Sequence, residues 1–215
     1  MSLAQELQEA ESSRRAKRDP SLTAKMDAAV QDVVRSGLVE SGLKVGDKAP
    51  EFSLPNVKGD TVSLNDALRS GPVVLSFYRG GWCPYCNIAL QHLQQHLPEF
   101  KANGAQLITV SPQTPDESLS TAEKNALEFE VLSDVGNATA RDYNLVFELP
   151  ENLHEMYGKP DGINLLETND SDKFELPIAA TYIVKQDNTL AYVFADADYT
   201  KRAEPSEIVD VLKTL

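Results

Sequence analysis

The sequence predicts an α/β fold: a mixed β-sheet flanked by helices, with a helical extension at the N-terminus. Three observations predict it. Two runs rich in β-branched and aromatic residues, PVVLSFY at 72–78 and AQLITVS at 105–111, are separated by a segment of helical periodicity. That is how two parallel strands joined by a crossover helix read. Further on, ATYIVKQDNTLAYVF at 180–194 reads as a β-hairpin around Gln186-Asp187-Asn188-Thr189. Before all of this, residues 3–42 are rich in Ala, Glu, Gln, Lys and Arg. A strand–helix–strand unit followed by a hairpin gives a mixed sheet with helices on both faces.

Taken in order, the elements follow from local signals. Val30, Val33, Val34 and Leu38 recur at helical spacing, so residues 3–42 predict one amphipathic helix ending near Gly37 and Gly42. The cluster Arg14, Arg15, Lys17 and Arg18 reads as a solvated face of that helix. In residues 46–68, Phe52 and Leu54 alternate, Lys58-Gly59-Asp60 turns, and Val62 and Leu64 alternate again: a short hairpin, with Asn65 or Asp66 capping a helical turn. Residues 72–78 predict a buried strand. From Pro84 to Gly104, Ile88, Leu90, Leu93, Leu97 and Phe100 mark a helix with Pro98 as a kink. After the strand at 105–111, residues 116–130 predict a helix capped by Asp116. Residues 138–148 read as helical, then irregular. Residues 149–176 read as a polar insertion with one helical turn near Leu153–Tyr157, and 204–215 as a closing helix with Pro205 in its first turn.

Composition narrows the function. The chain has 215 residues, 41% of them hydrophobic, enough for a core without covalent staples. A net charge of −13 argues against nucleic acid or an anionic membrane as partner. No run approaches the ~20 apolar residues of a membrane span, and the N-terminus has no apolar signal region. The expected location is the cytoplasm, where two cysteines are not a structural framework.

Both cysteines fall in one place, LSFYRGGWCPYCNIALQHLQ. A strand ends at Tyr78, two glycines permit a sharp exit, and Pro84 suits a first helical turn. Cys83 then sits at the helix N-terminus, where unpaired N–H groups and the helix dipole favour a thiolate, with Arg79 as a nearby positive charge. Cys86 lies one turn further on, so the two sulfurs can form a reversible disulfide. On this reading Cys83 is the more exposed and more thiolate-like sulfur. A zinc site from Cys83, Cys86, His92 and His96 is disfavoured, because the pairs are too close for a zinc-finger loop and do not share one helix face. His92 and His96 read as a solvated helix face, and His154 carries no signal.

At these residues the chain resembles the thioredoxin-fold superfamily and, within it, the AhpC/TSA (peroxiredoxin-like) family. VGDKAPEFSLPNVKGDTVSLND is similar to that family's N-terminal hairpin, VVLSFYRGGWCPYC to its active-site strand and loop, and ELPIAATYIV to the segment that faces the site. The resemblance covers about 44–215 and implies two parts: a helical extension over 1–43 and a thioredoxin-like mixed sheet flanked by helices over 44–215. Laid on the peroxiredoxin pattern Pro-x-x-x-Thr-x-x-Cys, the proline position holds Arg79, the threonine position Cys83, and the peroxide-attacking position Cys86. The family's distant arginine falls on Ala179. Laid on the thioredoxin pattern, Trp82, Cys83 and Cys86 match Trp-Cys-x-x-Cys, CPYC is similar to glutaredoxin, and Ala179 takes the place of a cis-proline.

The resemblance implies a thiol oxidoreductase that cycles Cys83 and Cys86 between dithiol and disulfide and reduces hydroperoxides. Arg79, Trp82, Pro84, Ala179 and Thr181 would support the pair. No cofactor or metal is called for. The reductant implied is thioredoxin, glutaredoxin or glutathione, and a homodimer fits the family. A thioredoxin- or glutaredoxin-like disulfide reductase, and a redox sensor or partner-binding module, remain open as alternatives.

Overall fold

A computed structural model describes all residues, 1–215. Its centre is a five-stranded mixed sheet in the order β5-β4-β3-β8-β9. The strands are β3 (Val73–Phe77), β4 (Gln106–Ser111), β5 (Glu130–Ser133), β8 (Ala180–Val184) and β9 (Leu190–Ala195). β3, β4 and β5 run parallel, and β8 and β9 antiparallel to their neighbours. β3 is apolar at four of five positions and buried throughout because it has a core on each face. Leu75 and Phe77 join one cluster with Leu132, Tyr143 and Tyr182, while Val74 joins Leu97, Phe100 and Ile208 on the other side. The mixed sheet covered on both faces is the architecture the sequence predicts.

The N-terminal region differs from expectation. It forms two helices, α1 (Leu3–Lys17) and α2 (Pro20–Ser36), not one. Proline at 20 excludes its predecessor from helical geometry. Asp19 instead caps α2, accepting the N–H groups of Ser21 and Leu22 at 2.8 and 3.2 Å. α1 carries only two buried side chains, Leu3 and Leu7, worth about 2 kcal/mol each by area removed from water.

β1 (Ser53–Pro55) and β2 (Thr61–Ser63) form the expected hairpin. The cap of the following α3 (Leu64–Leu68) is Ser63, whose hydroxyl accepts the Asp66 N–H at 3.1 Å, so neither Asn65 nor Asp66 is the cap. α4 (Pro84–Ala102) forms where predicted and runs on through Pro98. The helix expected over 116–130 is shorter: α5 (Pro115–Lys124) is capped at Thr114, and Ala126 turns the chain at a φ of 49° into strand β5. Leu127, Phe129 and Val131 alternate, a period-two signal that the helical reading overran.

Beyond α6 (Ala138–Asp142) the supposed polar insertion proves to be packed. Strands β6 (Val146–Glu148) and β7 (Glu175–Pro177) pair antiparallel at its base, with α7 (Glu151–Tyr157) and α8 (Leu165–Thr168) between them. Leu149, Leu153, Tyr157, Leu165 and Leu176 bury against Ala29 of α2. Polar residues dominate this stretch by number, but its few apolar ones fall where they share a face. α9 (Pro205–Leu212) closes the fold against α4 and β9.

Candidate active site

The site begins where β3 runs out. Tyr78 still bonds β4, its N–H donating to the Val110 carbonyl at 3.0 Å. The chain then turns through Arg79-Gly80-Gly81-Trp82 into α4. Gly80 has a φ of 145°, and a Cβ there would lie 2.4 Å from Trp82 Nε1. A Cβ on Gly81 would lie 2.1 Å from the Thr121 hydroxyl. Only glycine fits either position. Side-chain amides hold this turn: the Gly81 N–H donates to the buried Gln113 Oε1 at 2.7 Å, and Asn87 Nδ2 donates to the Gly81 carbonyl at 2.7 Å. Asn125 Nδ2 in turn donates to Asn87 Oδ1 at 3.0 Å. Cys83 is the N-cap of α4 and Pro84 its first residue, as predicted.

Both cysteines are free thiols, each 1% exposed. The expectation of an exposed, thiolate-like Cys83 is therefore corrected. Burial pushes the Cys83 thiol well above its ordinary value, and the hydrogen bond and charge it shares with Cys86 push it further. Burial acts on Cys86 in the same direction but is outweighed. The Cys83 thiol, the Arg202 guanidinium, the Arg79 backbone N–H and the Arg79 charge together bring Cys86 down to about 5. Arg202 Nη2 donates directly to Cys86 Sγ at 3.1 Å. The helix N-terminus at Cys83 is real, but the sulfur with charged donors around it is the one a turn deeper.

Arg79 is 4% exposed. Burial opposes its charge, but Tyr157 and the two sulfurs keep it protonated. Its Nη2 donates to the Tyr157 hydroxyl at 2.6 Å. Its guanidinium lies 5.0–5.6 Å from the ring centres of Trp82, Tyr157 and Tyr199. Its Nε is buried and faces no protein acceptor, and the residue lines a narrow apolar cleft between α2, α7 and the start of β8 together with Met26, Leu153 and Ala179. Trp82 meets Tyr157 edge-on at 5.6 Å.

The register of the sheet brings Ala179 here. Phe77 pairs with Ala180, so Ala179 comes level with Tyr78 at the end of β3. Thr181 is two residues further into the sheet, and its hydroxyl is 3.1 Å from that of Ser76. It ties β8 to β3 behind the site. His92 is not solvated as expected: it is 7% exposed and its Nε2 lies 2.7 Å from Glu6 of α1. Arg18, expected to be solvated, is partly buried beside Glu11, which also takes the Tyr85 hydroxyl. Leu3 and Leu7 of α1 share one apolar cluster with both sulfurs.

Sequence reasoning missed Arg202, Tyr157 and Tyr199. Arg202 is 116 residues from Cys86 in an irregular stretch, and Tyr157 is in the segment read as an insertion. Arg202 carries no periodic signal, and the helical turn read at Leu153–Tyr157 gives no hint that Tyr157 reaches the site.

Comparisons with known proteins place this geometry. A family model described as the AhpC/TSA family matches residues 45–193. Peroxiredoxin Bcp of Escherichia coli strain K12 is 32% identical over 103 residues, 48% of this chain and 65% of that protein's own length. A chloroplastic peroxiredoxin Q of Gentiana triflora is 31% identical over 104 residues, 48% of each chain. In structure the chain is similar to peroxidoxin BcpB of Mycobacterium tuberculosis, with a TM-score of 0.63 and 20% identity over 80% of this chain and 98% of the other.

Proposed function

The chain belongs to the AhpC/TSA family, and from that premise we propose that it is a thiol peroxidase in which Cys86 attacks the hydroperoxide and Cys83 resolves the product. The observation that carries the proposal is the Arg202–Cys86 contact at 3.1 Å, backed by the downward shift of that sulfur. A thiolate is the nucleophile in such chemistry. The Cys86 thiolate takes the terminal oxygen of ROOH, the O–O bond breaks, and the departing RO⁻ takes a proton from water, leaving Cys86 as a sulfenic acid. The Cys83 thiol then condenses with it, releasing water and forming the Cys83–Cys86 disulfide. Two reducing equivalents from a thiol donor restore the pair. Cys83 thus acts twice, first as hydrogen-bond donor to the thiolate and then as the resolving thiol. Arg79 and Arg202 are the charges that stabilise the breaking O–O bond, and the cleft beside Arg79 presents mainly apolar side chains.

Several finer parts belong to the same proposal. Trp82 and Pro84 shape the loop, Ala179 faces it and Thr181 braces the sheet behind it. Residues 1–43 are an extension to a catalytic fold over 44–215. The reductant is a thioredoxin- or glutaredoxin-type protein or glutathione, the setting is the cytoplasm, and a homodimer is the assembly to test. No helix of the chain is long and apolar enough to cross a membrane. The disulfide-reductase reading requires Cys83 as an exposed thiolate, and its burial and upward shift weigh against that.

The test is to treat Cys83→Ser and Cys86→Ser with hydrogen peroxide and trap sulfenic acid with a dimedone-type reagent. Cys83→Ser should trap at Cys86 and Cys86→Ser should not trap, while the native chain loses two hydrogens by mass with no interchain bond. Rapid trapping at Cys83 in Cys86→Ser would reverse the roles. No trapping in any form, with both native thiols still free, would sink the peroxidase reading.

A further inference from the structure

We propose that the N-terminal helix α1 is part of the catalytic apparatus: through Glu204 it positions Arg202 against Cys86. The inference rests on Cys86 being the attacking sulfur. Arg202 lies in the irregular stretch between β9 and α9. That stretch is well ordered within itself: Asp196 accepts the Asp198 N–H at 2.8 Å, and Asp198 accepts the Thr200 N–H at 3.0 Å and the Thr200 hydroxyl at 2.7 Å. Arg202 Nη1 donates to the carbonyls of Tyr199 and Lys201 at 2.8 and 2.6 Å. These bonds shape the loop but do not set its distance from Cys86.

Two residues on, the Glu204 carboxylate accepts the N–H groups of Leu3 and Ala4 at 3.2 and 2.6 Å. It therefore holds the first turn of α1, where N–H groups have no partner inside the helix and negative charge is favoured. Along its length α1 is seated on the nucleophile's own helix: Leu3 and Leu7 bury beside Cys83, Tyr85 and Cys86, Glu6 meets His92 at 2.7 Å, and Glu11 takes the Tyr85 hydroxyl. One rigid element thus touches both halves of the site. Its side packs on α4, which carries Cys86, and its N-terminal turn grips the segment that carries Arg202. The family model begins at residue 45, so this tie lies outside it. Glu204 is a positioning residue; Arg202, which touches the reacting sulfur, is the catalytic one.

The thiolate itself reports the position, because a guanidinium at hydrogen-bond distance favours the ionised sulfur. The measurement is the rate of iodoacetamide labelling at Cys86 in the reduced full-length chain from pH 4 to 9, read by peptide mass spectrometry. Arg202→Met should raise the pH of half-ionisation by about 1, a tenfold loss of thiolate on the acid side of the midpoint. Glu204→Ala should raise it by about half as much, Glu204→Asp should restore part of the loss, and the rate of sulfenic acid formation should fall in parallel. Removing residues 1–18 should act at least as strongly as Glu204→Ala; the point variants stand alone if that shortened chain does not fold. Glu207→Ala, which alters α9 beyond the tie, should leave the midpoint in place. If Arg202→Met moves the midpoint while Glu204→Ala leaves it unchanged, α9 alone sets Arg202 and the proposal is wrong. An unmoved midpoint in Arg202→Met overturns it as well. If native Cys86 shows these midpoint shifts yet forms no sulfenic acid, the positioning role stands and the peroxidase reading falls.

Discussion

The β3–α4 turn and the wall that closes over it both act on the same sulfur, Cys86, the turn through near neighbours and the wall through burial and one guanidinium. The turn is eight consecutive residues, Arg79 to Cys86, and supplies both sulfurs, two glycines, the capping position and the first-turn proline. The wall comes from three distant stretches: α1, the 149–177 segment and the loop before α9. It supplies Arg202, Tyr157, Tyr199 and the leucines that exclude water. Burial alone would raise Cys86, and it is guanidinium and thiol donors that bring it down. Where the two sulfurs sit is a local property of the chain; the ionisation of Cys86 draws on the turn, through Cys83 and Arg79, and on one distant residue, Arg202.

The largest expected effect tests the turn. Cys86→Ser should abolish peroxide consumption, a loss of at least ~10³-fold, because a hydroxyl is hardly ionised near neutrality. Cys83→Ser should still consume about one equivalent per chain and then stop, since the resolving thiol is gone. Stopped-flow peroxide assays with counted equivalents separate the two. Full turnover by either variant would show that the pair is not the working unit.

The next effect tests the wall, through pH. Cys86 is depressed in the folded chain to about 5, against ~8.5 for a cysteine in an unfolded one. An acid whose folded value is lowered contributes stability that is complete above the unfolded value and is lost as pH falls toward the folded one. The reduced chain should therefore gain stability over Cys86→Ser between about pH 5 and pH 9, read from urea midpoints. Labelling of Cys86 should hold steady above that range's lower end and fall as pH drops through about 5. A gap between the two chains that stays flat with pH would mean that the folded site does not hold Cys86 as a thiolate.

The same division explains what could be read from the sequence. The sheet, the hairpins, α4 and the position of both cysteines follow from periodicity, glycine and proline, all of which act over a few residues. The break at Pro20 was in the sequence too, but the valines of α2 extended one helical pattern across it. Strand β5 was lost because Phe129 and Val131 sit at spacings that also continue a helix. Arg202, Glu204 and Tyr157 were not legible, because their roles depend on which loop the finished fold brings beside α4. The identity of the thiolate failed for the same reason. A helix N-terminus is a local clue and favoured Cys83, whereas the burial that raises both sulfurs and the Arg202 guanidinium that reaches Cys86 are tertiary.

A smaller effect returns to the turn. Gly81→Ala places a methyl 2.1 Å from the Thr121 hydroxyl, and overpacking of that kind costs about 1–3 kcal/mol. Thr121→Ala in the same chain should recover part of the loss, since the hydroxyl and the methyl at 3.2 Å are then gone. Urea denaturation of the four chains in this cycle measures the coupling. Losses that merely add would mean that the turn relaxes freely and is not held by α5.

The smallest effect asks whether the wall contributes chemistry or only cover. Tyr157→Phe removes the hydroxyl that accepts Arg79 Nη2 at 2.6 Å and leaves the aromatic packing on Trp82 in place. A hydrogen bond to a charged group contributes about 1.5–3 kcal/mol, and a neutral one about 1. Tyr143→Phe is the matched comparison: that ring is fully buried in the sheet core and its hydroxyl donates to the Pro50 carbonyl at 2.9 Å, remote from the sulfurs. Tyr157→Phe should lower stability by about 1–2 kcal/mol and slow sulfenic acid formation by several-fold, less than tenfold, because Arg79 keeps its charge and its three aromatic neighbours while losing a fixed orientation. Tyr143→Phe should cost about 1 kcal/mol and leave the rate of attack unchanged. If both variants lose the same stability and neither changes the rate, Tyr157 serves as cover, and the electrostatic part of the wall reduces to Arg202.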